Sequence, residues 1–149
     1  MSHQVIKRKI DAMRVYLAKL EPLLLSDTHT IVHNDVLLAA IERFLQLIVD
    51  TAVDINSHII ASNKYQMPDD YFTTFVVLGE HGILDDGFAL KIASSVGLRN
   101  KIVHNYEEVR ATQMINDIKT NIGDYKIYIK AILAYLDRSD QSNVLTSAV

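Results

Sequence analysis

The run Ala39–Ala61, AAIERFLQLIVDTAVDINSHIIA, decides the fold class. Ile41, Leu45, Ile48, Ala52, Ile55 and Ile59 recur at spacings of three and four residues, the period that lines one face of a helix. Leu38, Phe44, Leu47, Val49, Val53 and Ile60 widen that stripe past half the circumference, which marks a central, largely buried helix.

The same period continues on both sides. Ile6, Ile10, Met13, Leu17, Leu20 and Leu24 carry it through a first helix, with Pro22 disfavouring regular helix beyond about Glu21. Downstream, Asn63 to Asp70 reads as a connection, and Asp69 or Asp70 caps a short helix through Phe75 and Leu78. Asp85 or Asp86 opens another along Phe88, Ile92 and Val96, weakened by Gly97. Ile115, Ile118, Ile122, Tyr125, Ile129, Ile132 and Leu136 predict one long last helix that tolerates Gly123. The expected architecture is all-α: an up-and-down bundle of four main helices with a short additional one. One domain over 1–140 is expected, followed by a polar tail at 141–149.

Composition narrows the function. At 149 residues, 49% hydrophobic and 22% charged, the chain is long enough for one continuous core. It has no cysteine, which removes disulfides, thiolate metal clusters and a cysteine nucleophile. Charges are scattered through the N-terminal apolar residues, and no apolar stretch reaches spanning length, so a cytoplasmic location without a membrane segment is expected. A net charge of −3 opposes broad nucleic-acid coating and restricts any RNA contact to a local patch.

That patch is sought where residue types break the packing pattern. In GLRNKIVHNY, residues 97–106, a guanidinium, an amide, an imidazole and a phenol surround Ile102 and Val103, which read as packing anchors. Arginine forks onto phosphate oxygens, and imidazole exchanges protons near neutral pH. Arg99 and His104 are therefore the candidate catalytic pair for RNA cleavage through the ribose 2′-hydroxyl, with Asn100 as a positioning group and no metal needed. One histidine does not readily serve as base and acid together, which makes a two-fold homodimer an attractive completion. The bare spacing is weak evidence: five residues on a regular helix separate the two side chains by about 140°. A surface arginine and a capping histidine fit it as well.

Other clusters carry less. Asp54 and His58 lie four apart on the central helix; Asp54 either supports the Arg99–His104 pair or pairs locally with His58. His29 and His33 have the spacing of metal-binding helices, but no third ligand is evident in the sequence, and they read as solvated helix-start residues. Tyr125, Tyr128 and Tyr135 read as helix packing or a dimer seam, Tyr125 in the core and the others at its edge, rather than as a base-stacking platform. Lys91, Lys101 and Arg110 either add positive potential or form an ordinary charged surface with Glu107 and Glu108.

The run RNKIVHNY resembles the R-x4-H-x-Y motif of HepT-like toxins in the HEPN superfamily, with Arg99, His104 and Tyr106 at its defining positions. Ala39–Ala61, LGEHGIL at 78–84 and the order of the segments are similar to that family as well. The resemblance implies a HEPN fold, a homodimer with a shared cleft, and metal-independent ribonuclease activity in a type VII toxin–antitoxin system. It also implies a partner, an MNT-type nucleotidyltransferase antitoxin that transfers AMP from ATP to Tyr106. The alternative it leaves open is a non-catalytic HEPN module that binds a nucleotidyltransferase or a nucleotide.

Overall fold

The computed structural model describes residues 3–100 and 108–147, with side chains for 3–98 and 108–141. In chain order the helices are α1 (His3–Leu23), α2 (Thr28–Val32), α3 (Asp35–Ser62), α4 (Tyr71–Glu80), α5 (Asp86–Ala93), α6 (Ser95–Asn100), α7 (Glu108–Asn121) and α8 (Asp124–Ser147). No strand occurs among the described residues, and none of the described helices is long and apolar enough to cross a membrane.

The central helix is α3. All six residues of its predicted stripe are buried, together with Val49, Val53, Asn56 and Ile60. Each large aliphatic side chain withdrawn from water in this way contributes about 1.5–3 kcal/mol before chain entropy is opposed. Against this face α1 packs along its length through Ile6, Ile10, Met13, Leu17 and Leu20. Pro22 falls in the last turn of α1, where it carries no N–H to donate, and Leu24 and Leu25 close the end with short-range bonds to Leu20, Glu21 and Pro22 carbonyls.

Side-chain carboxylates and amides start the next helices. Asn34 caps α3, Asp70 caps α4 and Asp85 caps α5, each accepting the backbone N–H three residues on. Hydrogen bonds from the hydroxyl and backbone N–H of Thr73 hold the Asp70 carboxyl below the usual range. Where α4 meets α5, a Cβ built on Gly79 would lie 2.7 Å from the Ala89 Cβ, so the close crossing of these two helices requires glycine there.

Four elements differ from the sequence expectation. The helix expected along Phe88, Ile92 and Val96 is divided at Ser94 into α5 and α6. The long last helix divides at Ile122–Gly123 into α7 and α8, because glycine lacks the side chain that would hold a continuous helix there. Its apolar stripe nonetheless runs on in register, with Ile115, Ile118, Tyr125, Ile129, Ile132 and Leu136 all buried. The segment expected as a tail after Asp140 is helical as far as Ser147. A short α2, absent from the expectation, is inserted between α1 and α3.

Candidate active site and its surroundings

The chain enters the Arg99–Tyr106 run through α6. Its backbone is helical through Arg99 and Asn100; the side chains of these two, and residues 101–107 with Lys101, Ile102, Val103, His104, Tyr106 and Glu107, lie outside the described residues. What the structure shows is how the run is held at both ends.

On the entry side, Val96 and Leu98 bury against the core and Ser95 anchors the helix start. The Ser95 hydroxyl donates to the Ile92 carbonyl at 2.6 Å, so the Tyr125 hydroxyl beside it is the donor to Ser95 Oγ. Burial pushes the Tyr125 phenol far above its ordinary pKa; the Ser95 contact opposes this and the Asp124 charge adds to it. Tyr125 is thus a neutral hydrogen-bonding post that ties α6 to α8.

A second buried group continues from it. Tyr128 packs edge-on against both Tyr125 and Phe75, with ring centroids 6.1 and 5.9 Å away. Its hydroxyl donates to Asn56 Oδ1 at 2.6 Å and also lies 3.1 Å from the Ala52 carbonyl, while Asn56 Nδ2 donates to Thr74 Oγ1 at 3.1 Å. Desolvation raises the Tyr128 pKa as well. Tyr128 is therefore a fully buried core residue and not the edge residue its sequence position predicts. Tyr135 is half-buried and accepts a bond from Asn63 Nδ2 at 2.8 Å.

Two of the charged candidates among the described residues have ion-pair partners within the fold. Asp54 is exposed on α3 and pairs across to Lys9 on α1 at 3.4 Å. Lys91 faces the nearly buried Asp124 carboxylate at 3.2 Å, which uses its charge within the fold. Arg110 is exposed on the first turn of α7.

On the exit side α7 begins at Glu108, and here the structure assembles a group the sequence does not reveal. His29, on α2, and His33, at its C-cap, stack with centroids 4.2 Å apart, and His33 Nε2 lies 3.2 Å from Glu108 Oε1. One ligand-capable atom from each of the three lies within 4.8 Å of the others. The spacing of the two histidines is visible in the sequence; the third member is distant in the chain and comes beside them only by the docking of α2 on α7.

Comparison with other proteins agrees with this architecture. A family model described as ribonuclease HepT-like matches residues 13–132. The chain is 37% identical over 102 residues to the tRNA nuclease HepT of Aphanizomenon flos-aquae, covering 68% of this chain and 69% of that protein. It is 24% identical over 90 residues to the mRNA nuclease HepT of Shewanella oneidensis, covering 60% and 68%. The fold matches that of the tri-AMPylated Shewanella oneidensis HEPN toxin, solved in complex with its MNT antitoxin, with a TM-score of 0.78 at 21% identity over 90% of this chain and 99% of that one. With the family match extending over most of its length and through the Arg99–Tyr106 run, the chain belongs to the HepT-like family.

Proposed function

We propose that this chain is the ribonuclease toxin of a type VII toxin–antitoxin pair. The observation that carries the reading is the HepT-like match across 13–132, which includes Arg99, Asn100, His104 and Tyr106 in one short run. The 37% identity to a tRNA nuclease supports tRNA as the first substrate to test.

In this reading the ribose 2′-oxygen attacks the adjacent phosphorus and the bond to the 5′-oxygen breaks. His104 of one protomer takes the 2′-hydroxyl proton, and His104 of the partner subunit gives a proton to the leaving oxygen. Arg99 forks onto the phosphate as charge develops, and Asn100 positions it. The products carry a cyclic phosphate and a free 5′-hydroxyl, and no step calls for a metal. Asp54, which pairs with Lys9 at 3.4 Å, is kept as a support residue for the Arg99–His104 pair and not as a reacting group.

Neutralisation follows from the same run. The Tyr106 phenol oxygen attacks the α-phosphorus of ATP on the MNT-type antitoxin, the bond to the β-phosphate oxygen breaks, and pyrophosphate leaves. Each transferred AMP adds a negative phosphodiester and bulk beside the cleft, which repels RNA.

The test is cleavage of total and transfer RNA by the unmodified chain in chelator, with mapping of the new ends. Cyclic-phosphate ends are expected, and intact RNA would remove the proposal. For the control step, incubation with antitoxin and ATP is expected to add AMP masses to the wild-type chain. Tyr106→Phe should show none and should stay toxic beside the antitoxin; unchanged mass increments in that variant would reassign the acceptor.

A further inference from the structure

The structure assigns a divalent transition-metal site to His29, His33 and Glu108, with Zn²⁺ as the natural probe. Two imidazoles and a carboxylate are a donor set that such a cation takes. They come from two elements that are fixed against each other independently of the site. Ile31, between the two histidines, is fully buried. Thr28 Oγ1 donates to Asn116 Oδ1 on α7 at 2.8 Å, and Lys119 Nζ on α7 donates to the Ser26 carbonyl at 2.8 Å and to Thr28 Oγ1 at 3.2 Å. The N-cap Asp27 holds the first turn of α2, accepting from the backbone N–H and hydroxyl of Thr30. The histidines therefore approach Glu108 on a preformed platform.

The orientation of His33 is the decisive detail. Its Nδ1 lies 2.8 Å from the His29 carbonyl oxygen, an atom that only accepts, so Nδ1 carries the proton. In the neutral ring this leaves Nε2 with a lone pair, and Nε2 faces the Glu108 carboxylate at 3.2 Å. Two electron-rich atoms stand opposite each other, and a positive centre between them, a proton or a metal ion, makes the arrangement favourable. A backbone carbonyl that fixes the ring tautomer is the outer contact metal-binding histidines use. Metal–ligand bonds of about 2.0–2.1 Å put tetrahedral ligand atoms roughly 3.3–3.5 Å apart. His33 and Glu108, at 3.2 Å, are within about 0.1–0.3 Å of that spacing, and the ligand atom of the exposed His29 lies within 4.8 Å of both.

Three protein ligands leave the fourth position to water. The assigned role is structural: the cation ties α2 to the first residue of α7, two positions beyond Tyr106 in the chain, and supplies no atom to RNA cleavage.

The experiment is calorimetric titration of Zn²⁺ into the tag-free full chain, with thermal unfolding in Zn²⁺ and in chelator alongside. One ion per chain and a Zn²⁺-dependent rise in Tm are expected. His29→Ala, His33→Ala and Glu108→Gln should each weaken binding at least tenfold and remove the Tm rise, whereas His81→Ala should keep both. No saturable binding, or binding left unchanged by His33→Ala and Glu108→Gln, would overturn the assignment and leave the pair as a surface His33–Glu108 contact. Because binding is read without RNA, its failure is separate from any failure of ribonuclease activity.

Discussion

Replacing His104 with alanine is expected to relieve growth arrest and to lower RNA cleavage by about 10²–10⁴-fold, the usual contribution of one positioned proton-transfer group. Arg99→Ala should cost on the order of 10²–10³-fold by removing a charged donor from the phosphate. Arg99→Lys is the informative intermediate. It keeps the charge but loses the planar fork, so partial activity is expected if Arg99 acts through two-pronged phosphate binding. The measurement pairs growth after induction without antitoxin with RNA-end mapping from the same cultures, at matched soluble protein and matching circular dichroism. Equal toxicity of the wild type, Arg99→Ala and His104→Ala would show that the biological effect does not depend on this pair. The interaction-module reading would then take precedence.

The contrast between what can and cannot be read from the sequence is one of chain distance. The α3 stripe is legible because every residue that defines its face lies within one turn of the next, and Asp70 and Asp85 are legible as caps because they act three residues away. The break at Gly123 is hidden by that same logic: Ile122 and Tyr125 keep the helical spacing across it, so the apolar pattern runs through a turn that the backbone makes. At five residues α2 is too short for periodicity to register. The candidate site divides in the same way. Arg99, Asn100, His104 and Tyr106 are contiguous and are found by reading along the chain. Glu108 beside His29 and His33, Tyr125 on Ser95 and Tyr128 on Asn56 depend on which helices dock, and no local pattern encodes that.

Asn56→Ala is expected to destabilise the fold by about 2–4 kcal/mol, a large share of the ~5–15 kcal/mol that typically holds a domain together. Asn56 is fully buried in the middle of α3, where an apolar residue would fit the stripe, so its amide is there for its partners. Removing it deletes the bonds to Tyr128 and Thr74, about 0.5–1.5 kcal/mol each, and leaves a void that the packed helices fill only in part. The loss is bounded because Tyr128 keeps the Ala52 carbonyl at 3.1 Å and the Thr74 hydroxyl keeps the Tyr71 carbonyl at 2.7 Å. For a chain of this size each kcal/mol moves Tm by roughly 2–4 °C, so a fall of about 5–15 °C is expected in thermal unfolding. Tyr128→Phe is the partner variant. It strips the donor from Asn56 Oδ1 while keeping the ring, and a double-mutant cycle should return a coupling of about 0.5–3 kcal/mol. Additive losses, or an Asn56→Ala change within ~0.5 kcal/mol of wild type, would show that the amide only fills space. The consequence reaches the candidate site. Tyr128 braces Tyr125, Tyr125 holds Ser95, and Ser95 starts the helix that ends in Arg99 and Asn100. Part of the activity lost in Asn56→Ala should therefore return under stabilising conditions, whereas the loss in His104→Ala should not.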